Sequence, residues 1–238
     1  MAGHFEIGGI RVEVARKDIR NLHLSVYPPN GAVRIAAPRW MEAEAIRLFA
    51  INKLGWIRRQ QRKLRQQERE PAREYIERES HYVWGRRYLL EVVEHDAAPD
   101  VQLKHRKLVL RVRPGTGTER RETILHEWYR GRLREALPPL LDKWQPQVGR
   151  KASHVYVQRM KTNWGSCNPG KHHVRLNTEL AKKPPECLDY IVLHELVHLR
   201  EATHNERFIA WMDRLMPRWR ERRDQLNRLP LATDRRHC

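Results

Sequence analysis

The chain has 238 residues, with 47 Lys and Arg against 29 Asp and Glu and a formal charge of +18. A 40% hydrophobic fraction that includes eight Trp and seven Tyr can fill an interior, which excludes wholesale disorder. Residues 1–7 carry no secretory pattern, no apolar run approaches the roughly 20 residues that span a bilayer, and three cysteines without CxxC spacing exclude a disulfide framework, so a cytoplasmic protein off the membrane is expected.

The first third reads as hairpins. Phe5-Glu6-Ile7 and Ile10-Arg11-Val12-Glu13-Val14 alternate around Gly8-Gly9. Leu22 through Tyr27 alternates again, and Pro28-Pro29-Asn30-Gly31 breaks the chain before Val33-Arg34-Ile35. Between Met41 and Gln67 the period becomes helical, with Ile46, Phe49, Ala50, Leu54 and Ile57 near one face and Pro71 as the stop. Two further hairpins are expected at 82–93 around Gly85 and at 101–112 around His105-Arg106. Pro114-Gly115-Thr116-Gly117-Thr118 is the expected boundary, dividing the chain into 1–117, β-rich with one long charged helix, and 118–238. Thr118 is the expected N-cap of a helix over 119–144, with Pro138-Pro139 bending or dividing it. Residues 154–160 and 173–176 read as strands, and Pro185 opens the next helix in its first turn. No repeat at solenoid spacing and no low-complexity tract is visible.

That last helix carries His194-Glu195-Leu196-Val197-His198. Residues four apart on a helix differ by about 40° and roughly 6 Å, so both imidazoles reach one ion from the same face. Glu195 follows the first ligand and is placed to take a proton from water activated at the ion. With 13 His in the chain the bare spacing is weak; a strongly apolar helix around it and His204 ten residues after His194 strengthen it. The expected zinc ligands are His194, His198 and His204, with Glu195 as general base in peptide hydrolysis. Glu201 competes as third ligand. A closed structural zinc would recruit Cys167, since Cys187 lies two turns from His194. His126-Glu127 has Arg130 where a second His should stand.

The motif through Leu199, with His204 and residues 208–211, resembles the YgjP-like metallopeptidases, relatives of the SprT-like zinc proteases. Arg159, Lys161, Trp164-Gly165-Ser166-Cys167, Asn177, Pro184 and Asp189-Tyr190 resemble that family's other signature; the tail after Arg223 matches no motif. The resemblance implies an α+β fold: a β-rich N-terminal region, then a zincin-like helical catalytic core with a small sheet. It also implies a three-His zinc site, the helix at 119–144 as backing, and 173–176 as the edge that pairs with substrate. Glu201 stands where the related metzincin pattern has Gly, so the chain must reverse through Thr203 or Asn205. Trp164-Gly165-Ser166-Cys167 reads first as a tight turn with Trp164 in the core; the alternative lines the cleft and puts Ser166 near the metal. Tyr156, Tyr190, His172 and His173 are candidate oxyanion stabilisers.

A second class is a nucleic-acid-associated protein. It rests on the charge, on Arg58 to Arg65 beside Trp56, and on Arg214, Arg218, Arg220, Arg222 and Arg223 interleaved with Trp211 and Trp219. The plainer reading of both stretches is amphipathic helices with Trp inward and Arg in solvent. The classes combine in a DNA-recruited protease. A third class is a zinc-bearing scaffold without turnover.

Overall fold

In the computed structural model the chain forms two compact units, residues 1–69 and 70–236. The structure describes residues 2–27, 31–66, 74–160 and 163–229; expectations resting on residues 28–30, Pro71, Lys161 and Cys238 lie outside them.

In the first unit, β1 (Ala2–Ile7) and β2 (Ile10–Lys17) join through Gly8-Gly9, both at positive φ, the conformation a two-residue hairpin turn needs. β3 (His23–Tyr27) and β4 (Ala32–Pro38) complete a sheet of order β1-β2-β4-β3, its central pair parallel and its outer pairs antiparallel. The helical stretch expected as one element is two, α1 (Ala43–Asn52) and α2 (Leu54–Gln66). The Lys53 N–H reaches back to the Phe49 and Ala50 carbonyls, tightening the last turn of α1 and redirecting the chain. Ile46, Ala50 and Ile57 cover Val12, Val33, Ile35 and Ala37.

The second unit opens with the same arrangement. β5 (Ser80–Val83), β6 (Arg86–Glu94), β7 (Asp100–Lys104) and β8 (Lys107–Val112) have order β5-β6-β8-β7, again parallel at the centre and antiparallel outside. Trp84-Gly85 repeats the positive-φ turn of Gly8-Gly9. Buried apolar residues recur on the equivalent central strands: Val12 and Val14 of β2 and Leu90 of β6, then Val33, Ile35 and Ala37 of β4 and Leu108, Leu110 and Val112 of β8. A ββββα arrangement thus occurs twice. The two copies share apolar positions rather than residue identities, which is why no repeat shows in the sequence.

α3 (Thr118–Val148) follows without interruption through Pro138, Pro139 and Pro146. Its cap is Gly117 rather than Thr118, and Gly149 closes it in the left-handed conformation. Leu133, Leu137, Trp144 and Val148 are buried on both sides of the proline pair, and this packing offsets the backbone bonds the prolines forfeit. The loop at 113–117 lies within the second unit. The reason is packing: Leu125 of α3 completes the core of the second sheet, and the Trp84 and Gly85 N–H groups donate to the Ala181 and Lys182 carbonyls.

β9 (His154–Gln158), β10 (Gly165–Asn168) and β11 (His173–Asn177) form a small sheet of order β10-β11-β9. A 3₁₀ turn (Thr178–Lys182) leads to α4 (Pro185–Val197), then α5 (Glu206–Leu215) and α6 (Trp219–Arg228). α4 is buried on nearly every side, as a helix apolar all round must be. The expected α+β class holds. Among the described residues no helix is long and apolar enough to cross a membrane.

Candidate metal centre

α4 brings His194 to its last turn, and His198 is its C-cap. The reversal after it needs no glycine, because no residue from 199 to 205 has positive φ. The Arg200 and Glu201 N–H groups both bond the Val197 carbonyl, and Asn205 then caps α5 by accepting from the Phe208 N–H at 2.9 Å. This turn returns His204 to the face of α4. Its Nε2 lies 3.0 Å from Nε2 of His194 and 3.1 Å from Nε2 of His198.

Nitrogens held about 2.0–2.1 Å from one tetrahedral zinc stand about 3.3 Å apart. The three imidazoles therefore fit such an ion with movements of a few tenths of an ångström. Hydrogen bonding fixes the ring orientation: the His198 Nδ1–H donates to the Glu201 carbonyl at 2.9 Å, leaving Nε2 with its lone pair toward the site. Tyr190 Oη stands 3.4 Å from His194 Nδ1. Burial, with His198 and His204 adding to it, pushes His194 down to about 3. Burial also lowers His198, against the Glu201 bond. Neutral imidazoles are the form a metal requires. Phe208 floors the site, its ring centroid 4.7–4.9 Å from each of the three imidazoles. In the sequence Phe208 enters only within the resemblance; the signal there is an aromatic residue one helical turn after His204.

Glu201 contributes its carbonyl rather than its carboxylate, which accepts from the Asn205 side chain at 3.2 Å. Among the described residues the group that can hold a metal is His194, His198 and His204 alone. Cys187 is sealed in the core, and burial pushes Cys167 up to about 12, with Glu195 adding to it. Neither offers a thiolate. His126 lies elsewhere on α3, among Arg159, Glu179 and Lys182.

Glu195 is 5% exposed, and burial pushes its carboxyl up to about 8. It lies against the backbone of β10: a Cβ at Gly165 would stand 2.5 Å from Glu195 Oε1. The segment expected as a tight turn is thus a strand, and Gly165 serves close approach rather than turning. Strand alternation puts Gly165 and Cys167 toward α4 and Ser166 on the opposite face, away from the metal centre. β11 lies between β10 and β9, so the expected edge at 173–176 is a central strand. Of the oxyanion candidates only Tyr190 lies at the centre; Tyr156 and His173 pack with His154 on the outward face of the sheet.

The signature residues upstream support this strand. Buried Asn177 donates to the Met160 and Asn163 carbonyls at 2.9 Å each and accepts from the Glu179 N–H at 3.2 Å. Arg159 pairs with Glu122 of α3 at 2.9 Å. Burial would raise Glu179, but Lys182 at 2.7 Å, Lys183 and Arg159 overcome it and hold the carboxyl below its usual range. Asn177→Ala should cost about 1–3 kcal/mol by orphaning these buried groups. Thermal unfolding should show it as a drop of several degrees.

The rings of the basic C-terminal helices are occupied. Arg200 and Arg214 lie 4.6 and 4.0 Å from the Trp211 ring, and Trp219 is 7% exposed with its indole N–H on Asp213.

Among solved structures, the chain is similar to the metallopeptidase zymogen of Pyrococcus abyssi abylysin, with 22% identity over 37% of this chain and 89% of that one and a TM-score of 0.35. No curated protein matches. The model of the YgjP-like metallopeptidase domain matches residues 20–229, a span that takes in the three converging imidazoles, Glu195 and β10, and the chain belongs to that family.

Proposed function

We propose that the chain is a zinc-dependent peptidase, with His194, His198 and His204 holding the ion and Glu195 as general base. The observation that carries it is the convergence of the three Nε2 atoms, 3.0 and 3.1 Å from one to the next, beside the buried carboxyl of Glu195. An all-imidazole set with no thiolate suits zinc at a catalytic rather than a closed structural site. When bound, zinc supplies Lewis acidity toward a peptide carbonyl and lowers the pKa of water toward neutrality. Glu195 takes the proton of the attacking water and returns it to the leaving amine. A zinc ion held by His194, His198 and His204 would oppose the upward push of burial on Glu195 and leave its carboxylate available near neutral pH.

The substrate is a peptide or protein segment in extended form. β10 is the edge strand next to Glu195, and main-chain pairing along it aligns a scissile carbonyl with the carboxylate. Phe208 and buried Tyr190 keep the ligand side dry and the rings fixed.

The test is elemental analysis on the purified chain, with turnover of a mixed peptide library. About one zinc per chain is expected, removed by chelation together with turnover and restored with it. His204→Ala should lose the zinc and Glu201→Gln should keep it. A chain that binds no zinc after reconstitution would overturn the reading.

A further inference from the structure

The outward face of the sheet β10-β11-β9 carries a cluster that peptide hydrolysis does not use. Along β9 and β11, Val155, Val157, Val174 and Leu176 point into the core beside α4. Their neighbours by alternation, His154, Tyr156, His173 and Arg175, project from the opposite face. Parallel register sets His173 beside His154 and Arg175 beside Tyr156. Three rings therefore meet in the open: His154 and Tyr156 stacked at 5.8 Å, His154 and His173 at 5.0 Å, Tyr156 and His173 at 5.4 Å. The Arg175 guanidinium lies 5.6 Å from the Tyr156 ring, and Tyr156 remains 40% exposed.

The electrostatic surroundings point one way. His173 is held below its ordinary value by desolvation and then by His154, Arg175 and Lys171, every one of them basic. The whole chain carries +18. An acidic partner is drawn to such a face, and flat rings beside fixed cations match the bases and phosphates of a nucleic-acid strand better than a carboxylate-bearing side chain. A duplex hides its base faces and offers these rings nothing to stack on.

We propose that this face binds single-stranded nucleic acid, with bases stacking on Tyr156 and its imidazole neighbours and phosphates held by Arg175 and Lys171. This surface differs from the arginine-rich helices expected from sequence, where Trp211 is enclosed between guanidinium groups and Trp219 is buried. It lies on the side of the sheet away from Gly165 and Glu195, so a bound strand leaves the metal centre free, and the proposal stands whether or not the peptidase reading does.

The experiment is fluorescence anisotropy of a fluorescein-labelled oligothymidylate with the full chain across a salt series. Tyr156→Ala removes no charge, so it separates stacking from general attraction to a basic protein. It should weaken binding about 10-fold or more with the salt slope unchanged, while Tyr156→Phe binds as wild type does. Arg175→Gln should lower the salt slope by about one phosphate contact. Circular dichroism identical to wild type shows that the exposed substitutions leave the fold intact. Absence of binding at low salt, or wild-type affinity in Tyr156→Ala, would overturn the proposal. So would a polyglutamate peptide that binds more tightly than the oligonucleotide and loses affinity in the same variants, since the face would then belong to an acidic protein.

Discussion

Replacing Glu195 with Gln is expected to lower peptidase turnover about 10²- to 10⁴-fold while zinc stays at about one per chain. The amide is nearly isosteric with the carboxylate, so the buried space beside β10 remains filled. What it lacks is the ability to accept a proton. The ligand set is untouched, because the three imidazole nitrogens converge without help from residue 195. Stability gives an independent readout. Burial disfavours the Glu195 carboxylate, which is why its carboxyl is pushed up to about 8, and a neutral side chain escapes that cost. In the chelated chain Glu195→Gln should therefore unfold no earlier than wild type, and the gap should widen between about pH 4.5 and 8, where the unfolded carboxyl has lost its proton and the folded one still holds it, and level off above that. Turnover equal to that of wild type would remove Glu195 as the base, and absence of turnover in both would leave a zinc-bearing scaffold as the function. Lost zinc would make Glu195 part of the metal's support rather than the base.

The parts legible in the sequence are those set by local pattern. Two-residue turns with alternating flanks mark the hairpins at Gly8-Gly9 and Gly85, and the spacing of His194, Glu195 and His198 on an apolar helix marks the site. The parts that escaped depend on tertiary neighbours. Gly165-Ser166-Cys167-Asn168 has no β-branched residue and little apolar alternation; it is a strand only because β11 pairs with it residue for residue. Pro138 and Pro139 read as a break, yet the helix passes through them because apolar residues on both flanks are locked in one core. Glu201 was weighed as a ligand through its carboxylate, and its contribution is a main-chain carbonyl, which no side-chain pattern can announce. The boundary expected at Pro114 through Thr118 falls on the loop 113–117 between β8 and α3. Loops of that composition also occur inside folding units, and here Leu125 ties the two sides together.

Gly165→Ala tests whether β10 positions the base, and it is expected to reduce turnover about 100-fold with zinc retained. The new Cβ would stand 2.5 Å from Glu195 Oε1 and 2.8 Å from its Cγ, closer than real side chains pack, so one partner must move. β10 is held by its pairing with β11, whose Leu176 opposite Gly165 is fully buried. α4 is fixed on nearly every side. The side chain of Glu195 is the soft element, and a displacement of about 1 Å at a catalytic group is enough for a loss of this size. Overpacking will also cost about 1–3 kcal/mol of stability, and that loss alone does not distinguish positioning from damage. The double variant does. If Gly165 acts through the carboxylate, adding Gly165→Ala to Glu195→Gln should lower turnover much less than it does in wild type, since the group it displaces is already inert. Full additivity would mean that the methyl group obstructs the substrate strand rather than the base. Ser166→Ala, on the other face of the same strand, should leave turnover unchanged.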